Sequence, residues 1–419
     1  VWTVFQELTL LPWMTVAENL LIGHEPRGVL GLIDRARMSQ EADSVLTGLG
    51  IHHIDPRKLV EDLSLAQRQI VEIVRVIVQD PDILLLDEPT SSLGESEVEW
   101  LFGLIRELRA RGRCIIFTSH RWNEITDIAD RITIFRNGRD LGTFTEIDES
   151  EAVTLMTGQQ VGAFYPELPA LEAATPVLEA RGLGGSGISD ISLTLHAGEI
   201  LGVGGLAGHG HRELFFSLFG AESTTGGEIL VNGNKVRLSS PRDAARFGIA
   251  LVPEDRKTEG LLLPMSVAIN LTLAVLPQIS VLGVIRGGRE GRLAADMIGR
   301  LKIRTPGLRN PVGQLSGGNQ QKVLLARWLL ADSRIVLLYD VTRGVDVTTK
   351  HEIYELVVRL AREGRGVLFY SSDAEELAHL SHRVLVMREG SIVAEIRAPG
   401  ITAEDIVSAA VREATSIVD

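Results

Sequence analysis

Two adjacent carboxylates, Asp87 and Glu88, end the apolar run of DILLLDEPTSSL, Asp82 to Leu93. A buried strand that carries them to the C-terminal edge of a parallel sheet places one acid to hold a magnesium-bound water and the next to polarise an attacking water. Thirty-two residues beyond Glu88, a second apolar run, CIIFTS, leads into His120 and brings an imidazole to the same edge. Acid pair, strand edge and later imidazole together specify chemistry on the terminal phosphate of a nucleotide.

Phosphate also needs donors. The run QLSGGNQQKVLLARWLL, Gln314 to Leu330, sets Ser316, Gly317, Gly318 and Asn319 immediately ahead of a helix. Such a turn aims bare backbone N–H groups and the helix N-terminus at an anion. An earlier stretch, LSLAQRQIVEIVRVI, keeps Ser64 and has Gln67 at the Asn319 place, but Leu65 and Ala66 replace the glycines and weaken the approach. A third loop, GLAGHGHREL, carries Gly205, Gly208 and Gly210. Against the phosphate-loop pattern G-x-x-x-x-G-K-[ST], Gly205 and Gly210 fit, His211 stands in for the Lys, and Arg212 for the metal-binding hydroxyl. Backbone N–H groups there can still cradle phosphate. A metal site on His209 and His211 is the rival reading, and it has no third ligand nearby.

These motifs belong to a repeat. Leu315-Ser316, Thr342, Arg383 and Gly390 each lie 252 residues beyond Leu63-Ser64, Thr90, Arg131 and Gly138, and MTVAENL from Met14 returns as MSVAINL from Met265, an offset of 251. By the same offset Tyr339, Asp340 and Ser372 fall on Asp87, Glu88 and His120. Outside that offset, Pro253 is expected at the place of Gln6. Uniformly apolar strands alternating with charged helical stretches indicate a mainly parallel α/β sheet buried on both faces, present twice. The expected organisation is a first domain over 1–157, a linker over 158–180 rich in Pro, Gly and small residues, and a second domain over 181–419.

Composition excludes several classes. A formal charge of −13 argues against a sequence-independent grip on nucleic acid, and no nucleic-acid partner is expected. The single cysteine, Cys114, rules out an internal disulfide or a multi-thiolate zinc site and reads as a buried strand residue. The apolar stretch Leu261 to Ile285 is interrupted by Pro264, Asn270, Pro277 and Gln278, which suits a packed helix with loops better than a membrane span.

LSGGN, DEPTSSL and TSH at these spacings resemble the signature, Walker B, D-loop and switch histidine of ATP-binding cassette proteins. The doubled domain, with VPEDRKTEGLLLPMSVAINL in its second half, resembles the fused ATPase subunit of bacterial importers of ribose-, xylose- and galactose-type sugars. The resemblance covers essentially the whole chain. It implies ATP and Mg2+ as cofactors, transmembrane sugar permease subunits as partners, a periplasmic or lipid-anchored sugar-binding protein as an indirect one, and a place at the cytoplasmic face of the membrane. Because cassettes of this family meet head to tail, it further implies one site in which Gln6, Asp87, Glu88 and His120 face Ser316, Gly317, Gly318 and Asn319, with Gln6 and Asp87 serving Mg2+. A second, degenerate site would combine Gly205, Gly208, Gly210, His211 and Arg212 with Ser64 and Gln67. On the family pattern the Lys-bearing loop of the first cassette belongs upstream of Gln6, so the chain is expected to be N-terminally truncated and to turn over little ATP alone. A soluble cassette pair acting on ribosomes or DNA would call for a basic linker or zinc-binding thiols, and a nucleotide-binding scaffold without hydrolysis is the alternative.

Overall fold

The computed structural model describes residues 1–5, 8–28, 31–90, 93–119, 121–136, 138–158, 164–171, 175–345 and 347–411. The chain divides into two compact units, Val1–Met156 and Thr157–Asp419. Gln6 and His120 lie outside the described residues.

In the second unit a six-stranded sheet runs in the order Ile249–Val252, Ile335–Tyr339, Gly366–Tyr370, Ile200–Gly205, Arg383–Arg388, Ser391–Arg397, parallel throughout except for the last pair. The strand IVLLY explains why such segments read as unbroken apolar runs. Val336 and Leu338 enter one core with Val323, Tyr354 and Phe369, while Ile335, Leu337 and Tyr339 enter another with Leu178, Phe215 and Leu251. Both faces are covered, so alternation has no solvent side to record. A four-stranded antiparallel sheet, Asn234–Val236, Thr224–Val231, Pro176–Gly185 and Ile188–His196, closes the second of these cores.

The first unit keeps the same parallel register with fewer strands. Val4 pairs with Leu86 and Leu86 with Phe117, as Val252 pairs with Leu338 and Leu338 with Phe369. Gly366–Tyr370, however, is flanked on its far side by Ile200–Gly205, whereas Cys114–Thr118 pairs only with Ile83–Asp87 among the described residues. Leu368 is consequently fully buried and its counterpart Ile116 is 49% exposed. Cys114 is exposed as well, which corrects the expectation of a buried thiol.

The repeat extends to side chains that organise backbone. Asn19 accepts from Leu11 N–H and donates to the carbonyls of Leu11, Met14 and Thr15, and Asn270 does the same with Leu262, Met265 and Ser266. Arg75 donates to the Thr9 carbonyl and Arg327 to the Gly260 carbonyl at 2.7 Å. Each fully buried Asn ties a loop to the helix that follows it through several backbone hydrogen bonds at once. The stretch expected as a linker is built into the second unit at several points. Phe164 and Tyr165 pack around Tyr354 and His351, and Pro176 opens a strand. Leu261 to Ile285 forms short helices, Val267–Thr272 and Leu276–Ile279, and a hairpin. No helix among the described residues is long and apolar enough to cross a membrane.

Asn270→Ala should therefore cost about 2–4 kcal/mol, since it removes every hydrogen bond of a fully buried side chain at once. Urea unfolding of the second unit's transition measures it, and a loss below about 0.5 kcal/mol would contradict the bonding role.

Candidate functional site

Parallel pairing sets Asp87 directly beside Thr118. The Thr118 hydroxyl donates to Asp87 Oδ1 at 2.7 Å, which orients the carboxylate and leaves its second oxygen without a hydrogen bond among the described residues. The next residue, Glu88, turns out of the strand with φ 47°, a left-handed conformation that costs a side-chain-bearing residue roughly 1–2 kcal/mol. Its N–H is caught by the Thr118 carbonyl and hydroxyl, both at 3.1 Å. Strain of this kind persists only where neighbours over-determine it. Below the edge, Thr90 and Ser119 both donate to the buried Glu124 carboxylate at 2.7 Å, locking the turns that follow the two strands.

The glycine-led helices differ in how they begin. Ser64 and Gln67 close a reciprocal capping box at the start of Leu65–Ile77, so their polar atoms are spent on that helix. Ser316 makes no such cap. Its hydroxyl instead accepts from Asn319 Nδ2 at 2.8 Å, and Asn319 Oδ1 accepts from Arg304 N–H at 2.7 Å, leaving the first N–H groups of Gly317–Leu330 uncapped by side chains. A Cβ at Gly317 would meet Arg256 Nη2 at 2.6 Å and one at Gly318 would meet Thr349 Oγ1 at 2.4 Å, so the glycines also serve packing within this unit.

The loop from Gly205 to Gly210 links the strand Ile200–Gly205 to the helix His211–Leu218. Gly205 and Gly210 adopt φ 140° and 94°, and a Cβ would collide with the Met387 carbonyl at 2.3 Å or the Gly187 carbonyl at 2.5 Å, so only glycine fits either place. His211 does not reach outward. Its ring is 2% exposed, donates from Nε2 to the Gly204 carbonyl at 3.1 Å, and packs 4.7 Å from Tyr370. Burial pushes the imidazole below its ordinary range, which keeps it neutral. Arg212 is held by Glu259 through two bonds of 2.7 and 3.2 Å and lies 3.8 Å over the Phe216 ring. Among the described residues no group of three metal-capable side chains forms around His209 and His211 or elsewhere.

At the strand ends of this unit, Tyr339 and Tyr370 occupy the places of Asp87 and Thr118 and stack 4.7 Å apart at 13°. Asp340, counterpart of Glu88, repeats the left-handed turn with φ 50°, but its carboxylate is turned in and accepts from Ser372 N–H and hydroxyl at 3.0 and 3.2 Å. Burial pushes Asp340 up to about 6, against the Ser372 N–H that lowers it and with the Glu254 charge that raises it further. Strand register also corrects one position. Val4 corresponds to Val252, so the residue two places on, the counterpart of Gln6, is Glu254 and not Pro253. Glu254 is paired with Arg343. Thr118, Glu124 and Glu254 were not singled out from sequence. Extending the 252 offset to Thr118 and Tyr370 would have exposed the first of them.

A glycine loop between strand and helix in the second unit, an acid at a parallel strand end in the first, and a left-handed residue after that strand in both define a nucleotide-binding domain of the phosphate-loop type, repeated with different residues at its edge. The chain belongs to the ABC transporter family, whose model matches residues 1–91 and 188–343. Among its curated relatives, a ribose import ATP-binding protein of Mesorhizobium japonicum is 45% identical over 414 residues, covering 97% of this chain and 80% of that protein. A further ribose import ATP-binding protein, of Rubrobacter xylanophilus, is 42% identical over 410 residues with 97% and 82% coverage. An arabinose import ATP-binding protein of Azospirillum brasilense is 42% identical over 412 residues with 97% and 79% coverage.

Asp340 supplies a pH test. Its pKa in the folded protein is raised, so the native state binds the proton more tightly and stability falls as pH rises from about 4 through about 6. Asp340→Asn should remove that slope and stabilise the second unit by up to about 3 kcal/mol at neutral pH, read by thermal unfolding across the window. An unchanged pH slope in the variant would refute the assignment.

Proposed function

We propose that the protein is the ATP-hydrolysing subunit of a monosaccharide importer, acting at the cytoplasmic face of the membrane on a transmembrane permease, with a sugar-binding protein as indirect partner. The intact acid edge of the first unit carries this reading, with relatives whose names describe ribose and arabinose import in support. Asp87, oriented by Thr118 and with one oxygen open, suits a hard divalent cation held through water, so Mg2+ would be served by Asp87 and Gln6. Mg2+ would neutralise charge on the phosphates. Glu88 polarises the attacking water, His120 contacts the terminal phosphate, and Ser316, Gly317, Gly318 and Asn319 supply anion-binding donors from an uncapped helix start.

The loop of Gly205, Gly208, Gly210, His211 and Arg212 forms a nucleotide place without turnover, because Tyr339 offers no carboxylate and Ser372 no imidazole. Its conversion by His211→Lys alone would not create hydrolysis. The apolar segments Leu8 to Gly23 and Lys257 to Ile285 are the permease-facing ones. Which sugar is moved is decided by the binding protein and permease.

With the Lys-bearing phosphate loop supplied upstream of Gln6, Glu88→Gln should retain ATP binding and lower turnover roughly 10²- to 10⁴-fold in membranes carrying a sugar permease, since the water-polarising carboxylate is lost while Asp87 stays. Turnover within about twofold of the parent would overturn the role of Glu88.

A further inference from the structure

The hairpin at the end of the second unit's helical segment presents apolar side chains to water. Ser280 pairs with Ile285 and Val281 with Val284, joined by Leu282 and Gly283 at φ 51° and 80°. That two-residue turn favours Asn or Gly at both places, and Leu282 occupies the first with its side chain 99% exposed. Val284 is 69% exposed, and Val281 and Ile285 are each 44% exposed. Single exposed apolar residues are ordinary, but four together on one hairpin are not.

The tip is followed by Arg286, Arg289 and Arg292, all exposed, which line a cleft of about 570 Å³ with Gly288 and Leu293. None of the three arginines is paired with a carboxylate among the described residues. The nearest acid on their helix, Glu290, is turned inward to accept from the Thr272 hydroxyl at 3.3 Å. A related sequence occurs in the first unit. VLGVI at 281–285 is matched by VLGLI at 29–33, again 252 residues apart. There Leu32 is 69% and Ile33 51% exposed, and Arg27 bridges to Ile33.

We propose that this tip of the second unit inserts into the headgroup region of an anionic bilayer, with Arg286, Arg289 and Arg292 contacting lipid phosphates. An apolar point ringed by unpaired cations matches the interface between acyl chains and anionic headgroups. The chain's net charge of −13 does not oppose this at contact, because charges more than about 10 Å away are screened at ordinary ionic strength. Within Lys257 to Ile285 this assigns the hairpin Ser280–Ile285 to lipid and leaves the part before it to the permease, because the arginines that follow the hairpin have no carboxylate partner among the described residues. The proposal takes its membrane setting from the importer reading, but its test needs no permease.

The full chain is mixed with vesicles of phosphatidylcholine, with and without about 30% phosphatidylglycerol, and bound protein is measured by flotation at low and high salt. Wild type should bind the anionic vesicles at least about tenfold more tightly than the neutral ones, and lose that margin in high salt. The triple variant Arg286→Gln, Arg289→Gln, Arg292→Gln should fall to the neutral-vesicle level. Leu282→Asp with Val284→Asp should weaken binding to both vesicles by about tenfold or more. All these positions are exposed, so thermal unfolding should be unchanged. Failure of wild type to float, or variants that float like wild type, would overturn the proposal. Permease-stimulated ATP turnover that persists in that case would leave the importer reading standing. Loss of permease association by the tip variants without any vesicle binding would mark the tip as a protein contact, also overturning it.

Discussion

In each unit the lateral pairing of two strand-end residues decides what the sheet edge can do. Parallel register puts Asp87 beside Thr118 in one unit and Tyr339 beside Tyr370 in the other. A hydroxyl donating to a carboxylate orients an acid toward solvent and cations, whereas two stacked phenols close the same place with apolar surface. The tyrosines, buried to 8% and 4% exposure, are joined by His211 and Phe215 in one aromatic group under the loop. Burial raises the pKa of both phenols, so neither offers a phenolate near neutrality. Metal binding needs a charged or lone-pair-rich oxygen there, and the second unit has replaced it with packing.

What surrounds that pair has been kept. Thr90, Ser119 and Glu124 form the network that Thr342, Ser371 and Glu376 repeat, and the left-handed residue after the strand recurs at Glu88 and Asp340. In the second unit the buried Glu376 gains Tyr354, which donates at 2.7 Å, and Lys350 at 2.9 Å. Removing one partner of a buried carboxylate strands an uncompensated charge, so such networks persist for stability whatever happens at the edge. Catalytic side chains carry no comparable packing penalty. Two copies can therefore share a backbone and differ in chemistry.

Much of this was legible in the residues. The offset of 252, the apolar strands and the glycine positions state the fold because burial on both faces and left-handed turns each restrict residue type locally. Sequence alone makes Cys114 look buried because burial depends on which strand lies alongside, and CIIFT looks alike whether or not a neighbour covers it. Sequence alone does not align Gln6 with its counterpart because the spacing between strand and MTVAENL differs in the two copies. Only the strand pairing, Val4 to Leu86 and Val252 to Leu338, fixes the match to Glu254. The inward His211 was equally hidden, since a Lys at that place is an outward-reaching charge and an imidazole is short enough to turn under Gly205.

Arg212 shows how far the loop has moved from its pattern. The hydroxyl expected there binds metal, and an arginine instead brings a permanent cation to the start of the helix His211–Leu218, beside the N–H groups that favour anions. That cation is already satisfied by Glu259, from the segment following the strand Ile249–Val252, and by the Phe216 ring. Any phosphate at this loop must displace a bidentate carboxylate to reach the guanidinium, while the uncommitted donors are backbone N–H groups. The pair is partly exposed, at 41% and 32% for the two side chains, so water screens it and its exchange is inexpensive beside that of a buried pair. The second unit thus keeps a neutral cradle with a cation at its rim held by an exchangeable partner, where the family pattern places a lysine and a metal.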